Sequence, residues 1–220
     1  MKRELEKILK LSLKTCESWV QYDANGNVFF LDPIDGTEIS GHYGATHAAA
    51  AFIILGTSNK DTELLEKGKK LLKSVLKRWD KSTKISDFHF DFNNFALCVV
   101  YDVFRKSIDD VALLELIRTT VCNTADSNHN TINWLPMRWY VNLKKHEWTG
   151  DEKYKRKAES CKATISNATN KDGGIEDILP KGSSFNLQYD IATKAVLQFL
   201  RCRGIDVNLS KELGFLSNAM

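Results

Sequence analysis

The run Ala48-Ala49-Ala50-Ala51-Phe52-Ile53-Ile54 decides the fold class. A helix drawn through it is apolar on every side, and such a helix belongs in a core. It is expected from about residue 42 to 55, stopped by Gly56. The next helix, about 61–80 with Asp61 or Asn59 as N-cap, is of another kind. Leu65, Leu72, Val75, Leu76 and Trp79 make one apolar face. Lys67, Lys69, Lys70, Lys73, Lys77 and Arg78 share the helix with Asp61, Glu63 and Glu66, as on a solvated outer surface.

The alternation recurs. Buried-type helices are expected to begin near 42, 91, 133 and 184, at spacings of about 42–51 residues, one helical hairpin per period. Phe95-Ala96-Leu97-Cys98-Val99-Val100 and Ala195-Val196-Leu197 repeat the apolar signature. Amphipathic partners start at Asp109 or Asp110, ending near 123, and at Asp151, with Tyr154, Ala158, Cys161, Ile165 and Ala168 at helical spacing. Pro136 is tolerated in a first turn, and Gly150 and Gly204 act as stops. An amphipathic helix over 3–20 and a loop or small hairpin around Val28-Phe29-Phe30-Leu31 come first, and the tail forms at most one short helix. The expected fold is all-α: one domain, 1–220, of repeated helical hairpins in a partial or complete α/α toroid, with inner buried and outer amphipathic helices.

Composition narrows the function. Three prolines and twelve glycines favour long helices over a many-turned β fold. A net charge of +3 is too mild for a nucleic-acid or membrane partner. The five cysteines are odd in number and not closely spaced, so they read as reduced thiols, with no disulfide framework and no metal site, and no cofactor is expected. The charged, then amphipathic N-terminus has no apolar leader core, which gives a cytoplasmic expectation. Oligomeric state is not legible.

Polar and aromatic clusters open each expected inner helix. They are Ser40–His47, with His42 and Tyr43; Phe88–Phe95, with His89, Asp91, Asn93 and Asn94; His129–Tyr140, with Asn133, Trp134, Arg138 and Trp139; and Asp172–Asp190, with Glu176, Asp177, Gln188, Tyr189 and Asp190. If the inner helices are parallel, all four clusters meet in one cleft. Aromatic faces beside Asn, Gln, Asp, His and Arg suit a sugar, whose C–H groups pack on rings while its hydroxyls take directional hydrogen bonds. Helix N-termini facing the cleft would favour an acidic glycan.

The hairpin repeat, Trp148-Thr149-Gly150-Asp151-Glu152-Lys153-Tyr154 opening an outer helix, and Asp172-Gly173-Gly174 resemble the (α/α) toroid carbohydrate-active proteins: heparinase- and alginate-type polysaccharide lyases and six-hairpin glycosidases. The resemblance covers roughly residues 40–204 and is one of pattern. About eight helices are legible, fewer than six hairpins require, so it implies a partial toroid, a fragment of one or a reduced relative. Toroid lyases often carry Asn-Asn-His on an inner helix, whereas here Asn93-Asn94 is followed by Phe95. A lyase reading makes Asn94 and Arg138 donors to a uronate carboxylate and Tyr189 or Tyr43 the acid or base, assisted by His42. A hydrolase reading needs a carboxylate pair from Asp91, Glu176, Asp177 and Asp190. Two further readings stay open. One is a terpenoid cyclase- or prenyltransferase-like toroid, against which stands the lack of an Asp-Asp-x-x-Asp run. The other is a non-catalytic helical-repeat protein that binds a glycan or peptide.

Overall fold

The computed structural model describes residues 2–25, 28–37, 44–81, 89–105, 110–127, 131–170, 173–179, 182–184 and 187–207. Within these the chain is predominantly helical, with two short antiparallel hairpins. It divides into two compact units, Met1–Ala125 and Asp126–Met220. No described helix is long and apolar enough to cross a membrane.

The first unit holds α1 (Lys2–Ser18), β1 (Val20–Tyr22), β2 (Val28–Phe30), α2 (Gly44–Asn59), α3 (Thr62–Lys81), α4 (Phe90–Phe104) and α5 (Val111–Asn123). The apolar run lies in α2, and Ala48, Ala49, Ala50, Phe52 and Ile53 are buried. α3 is one-sided as its pattern requires: Leu71, Leu72 and Leu76 are buried, while Lys70, Lys73 and Lys77 are exposed. The two helices form an antiparallel hairpin of unusually close approach. A Cβ placed on Gly56 of α2 would lie 2.6 Å from the Leu65 nitrogen, and one on Gly68 of α3 would lie 2.8 Å from Ile53 and 2.9 Å from Phe52.

Gly56 is therefore not the stop that its residue type suggested. It is a packing residue inside α2, which runs on to Asn59. The stop is Lys60, in the left-handed conformation at φ 58°, with the Asp61 N–H bonded to the Gly56 carbonyl at 2.8 Å. Asp61 then caps α3 by accepting the Leu64 N–H. The β1–β2 hairpin, with Val20 paired to Phe30 and Tyr22 to Val28, docks on α3 through Ser74. The Ser74 hydroxyl donates to the Val28 carbonyl at 2.8 Å and accepts the Val28 N–H at 3.3 Å. Asp110 caps α5 through the Leu113 N–H.

The second unit holds a 3₁₀ turn (Ile132–Trp134), α6 (Leu135–Thr149), α7 (Glu152–Ala168), β3 (Asp177–Leu179), β4 (Gly182–Ser184) and α8 (Leu187–Cys202). Gly150 ends α6 at φ 69°, a conformation that costs glycine nothing, and Asp151 caps α7 through the Lys153 N–H. The α6–α7 hairpin is antiparallel, since Trp139 meets Lys162 while Lys145 meets Tyr154. Two expectations change here. The β3–β4 hairpin occupies residues read as loop, so α8 starts at Leu187 and not at Ser183 or Ser184. α8 is also one-sided: Leu197 and Leu200 are buried, but Ile191 and Ala195 are exposed. All five cysteines are free thiols, with Cys98 and Cys161 buried. The tail helix falls beyond the described residues.

The close α2–α3 contact gives a direct test. Gly68→Val should lower the unfolding free energy by about 1–3 kcal/mol, the usual cost of overpacking. Urea denaturation followed by helical circular dichroism measures it, and an unchanged midpoint would mean the two helices are not in this contact.

Candidate functional site

In each unit, alternate helices bring their leading ends together. In the first, the His47 Nε2–H near the start of α2 donates to the Phe92 carbonyl near the start of α4 at 3.1 Å. The acceptor is a carbonyl, so Nε2 carries the proton. Burial pushes the His47 pKa below its ordinary value, keeping the ring neutral, and only partly does the Phe92 hydrogen bond oppose this. His89 also packs edge-on against Phe92, with ring centroids 6.0 Å apart.

Around them the first turn of α4 buries four of the predicted residues: His89, Asp91, Asn93 and Asn94. The asparagines sit inside the helix and do not cap it. Asn93 donates back to the His89 carbonyl at 3.2 Å, and its Oδ1, like that of Asn94, is buried without a hydrogen-bond partner among the described residues. His42 and Tyr43 lie outside the described residues.

In the second unit, Asp190 opens α8 and Ile175 pairs with Thr169 just past the end of α7, beside the start of α6. Further along, Phe199 of α8 meets Tyr140 of α6 edge-on at 5.4 Å, so α6 and α8 run in the same sense. Asp190 is spoken for. It is 1% exposed, accepts the Ile175 N–H at 2.8 Å and pairs with the fully buried Lys194 at 2.9 Å. This clasp fixes the turn after α7 onto α8, which is a structural use of a carboxylate expected to meet substrate.

Trp134 and Trp139 are likewise core residues, 6% and 3% exposed. Asn133 is half-buried with a partnerless Oδ1 among the described residues, and Glu176 is half-buried beside Ile175. Asp177 opens β3. Gln188 and Tyr189 lie exposed on the first turn of α8. Arg138 is half-buried and contributes its charge to Asp126. Burial raises the Asp126 pKa, but the Lys157 hydrogen bond and the charges of Lys145, Lys157 and Arg138 outweigh it and hold the carboxyl below its ordinary value. Asn142 donates to the same carboxylate. Among the described residues no group of three or more His, Cys, Asp or Glu is placed to hold a metal ion.

A concave feature of the first unit was not singled out as a site in the sequence. It is a groove of about 490 Å³ lined by Trp79, Phe90, Leu116, Thr119, Thr120, Asn123, Thr124 and Ala125. The Trp79 and Phe90 rings lie nearly parallel, 18° apart with centroids separated by 6.2 Å, and both are half-buried, so aromatic surface stays accessible. Opposite them is the last turn of α5. Thr124 spends its hydroxyl and its N–H on the Thr120 carbonyl. No hydrogen bond within the described residues engages the Asn123 amide or the Thr120 hydroxyl. Trp79 reads as core from its place on the apolar stripe of α3. Its one available signal is position: it closes that stripe at the helix end, where a ring is covered on one side only.

No protein-family model, curated protein or solved structure is significantly similar to this chain.

The Asp190–Lys194 clasp makes a separable prediction. Lys194→Met should cost about 3–5 kcal/mol of stability by leaving a buried carboxylate alone. Adding Asp190→Asn, which keeps an acceptor for Ile175, should recover more than half of that loss in urea unfolding. Equal stability of all three proteins would show that the pair is not buried.

Proposed function

We propose that the first unit binds a carbohydrate-like ligand in the groove between Trp79 and the end of α5, and that it binds without transforming it. The observation that carries this reading is the composition of the groove. A flat aromatic pair faces uncommitted hydroxyl and amide groups, the combination that packs on sugar C–H faces while pairing with sugar hydroxyls. A volume of about 490 Å³ falls in the range of small-molecule sites.

The described residues that line the groove carry no ionisable side chain, which favours binding over catalysis. General acid–base chemistry needs a group that exchanges protons near the operating pH, and Trp, Phe, Leu, Thr, Asn and Ala supply none. The lyase scheme joins His42, Tyr43 and Asn94 of the first unit to Arg138 and Tyr189 of the second, and the hydrolase scheme draws its carboxylate pair from Asp91 of the first unit and Glu176, Asp177 and Asp190 of the second. The binding reading needs only residues that the first unit brings together itself, which makes it the more economical account.

Binding to the folded state raises its stability by about 2.7 kcal/mol when ligand exceeds Kd one hundredfold. A panel of soluble oligosaccharides should therefore contain at least one that raises the melting temperature, with quenching or enhancement of tryptophan fluorescence. Trp79→Ala should weaken that response at least about tenfold, equivalent to about 1.4 kcal/mol. No glycan should yield the ultraviolet band of an unsaturated uronate product or new reducing ends. Appearance of either product would replace binding with catalysis, and a Trp79→Ala protein that responds like the parent would remove the groove from the account.

A further inference from the structure

The polarity of the groove selects among sugars. Its polar wall is the C-terminal turn of α5, where the helix dipole is negative and the last carbonyls point out of the helix as acceptors. The last turn of α5 carries no basic residue to offset that charge. Arg118, which precedes Thr119, is paired with Glu115 one turn earlier, at 2.7 Å. Lys77, two positions before Trp79 on α3, is exposed and does not share that residue's face of the helix. Thr119, Thr120 and Thr124 contribute hydroxyl oxygens, which also accept.

A hydroxyl-bearing ring can donate into this wall. A carboxylate cannot donate, and here it would face a negative helix end with no cation among the described lining residues. The arrangement is the reverse of the helix N-terminus that would draw an acidic glycan.

We propose that the groove discriminates against uronates and takes uncharged, hydroxyl-rich saccharides. This rests on the reading of the groove as a sugar site and specifies its ligand.

The test uses the full chain and matched pairs: gluco-, manno- and galacto-oligosaccharides, each beside the uronate oligomer of the same linkage, titrated at low salt by calorimetry. At least one neutral member should bind ten times or more tighter than its uronate counterpart, and Trp79→Phe should retain that preference. Asn123→Lys places a cation at the helix end, where it also favours the helix, and should narrow or invert the ratio by raising uronate affinity at least threefold. Uronates that bind as tightly as, or more tightly than, their neutral partners would overturn the inference, and if that binding were still lost in Trp79→Ala the groove itself would stand. Failure of every saccharide to bind would overturn the groove reading and the inference together.

Discussion

The first unit depends on how closely two helices can lie. Gly56 and Gly68 remove the side chains that would otherwise hold α2 and α3 apart, and the alanines of α2 let Phe52 and Ile53 sink completely between them. Burial of that kind is worth about 25 cal/mol per Å² of apolar surface, but only if the backbones come near enough to exclude water. Everything later in the unit is set by this pair. α3 emerges from the hairpin in a fixed direction, Ser74 receives the β1–β2 hairpin, and Trp79 is carried to the end of the helix to stack on Phe90.

The second unit solves a similar problem by different means. Its α6–α7 hairpin is laced with long cationic side chains, and Lys145 and Lys194 are almost wholly buried. Charges survive in such places only when paired and hydrogen-bonded. Asp126 serves Lys145 and Lys157, and Asp190 serves Lys194 together with the Ile175 N–H. These carboxylates hold elements together. In the sequence Asp190 stands as an acid at a helix start and is assigned to chemistry, because the cation four residues on is an equally ordinary surface pattern.

Much of the helical layout is legible in the residues. Asp61, Asp110 and Asp151 cap as their positions imply, Gly150 ends its helix, and the apolar period separates α2 from α3. What was not legible follows from tertiary contact. Gly56 looks like a terminator until a second helix is seen against it. Residues 177–184 carry too short and too mixed a pattern to announce a hairpin. At the leading end of α4, the cluster of His89, Asp91, Asn93 and Asn94 was visible as a group, but not that these side chains would be buried. The groove was hidden for a further reason: its polar half lies at a helix C-terminus, whereas the recurring clusters drew attention to N-termini.

The most direct measurement of the central claim is a map of where a bound saccharide is felt. In nitrogen–proton spectra of the isotopically labelled chain titrated with a neutral oligosaccharide, the account predicts shifts concentrated on the Trp79 indole N–H and on the backbone amides of Thr119–Ala125. Shifts confined to the first turn of α4 or to the starts of α6 and α8, with Trp79 unmoved, would contradict it.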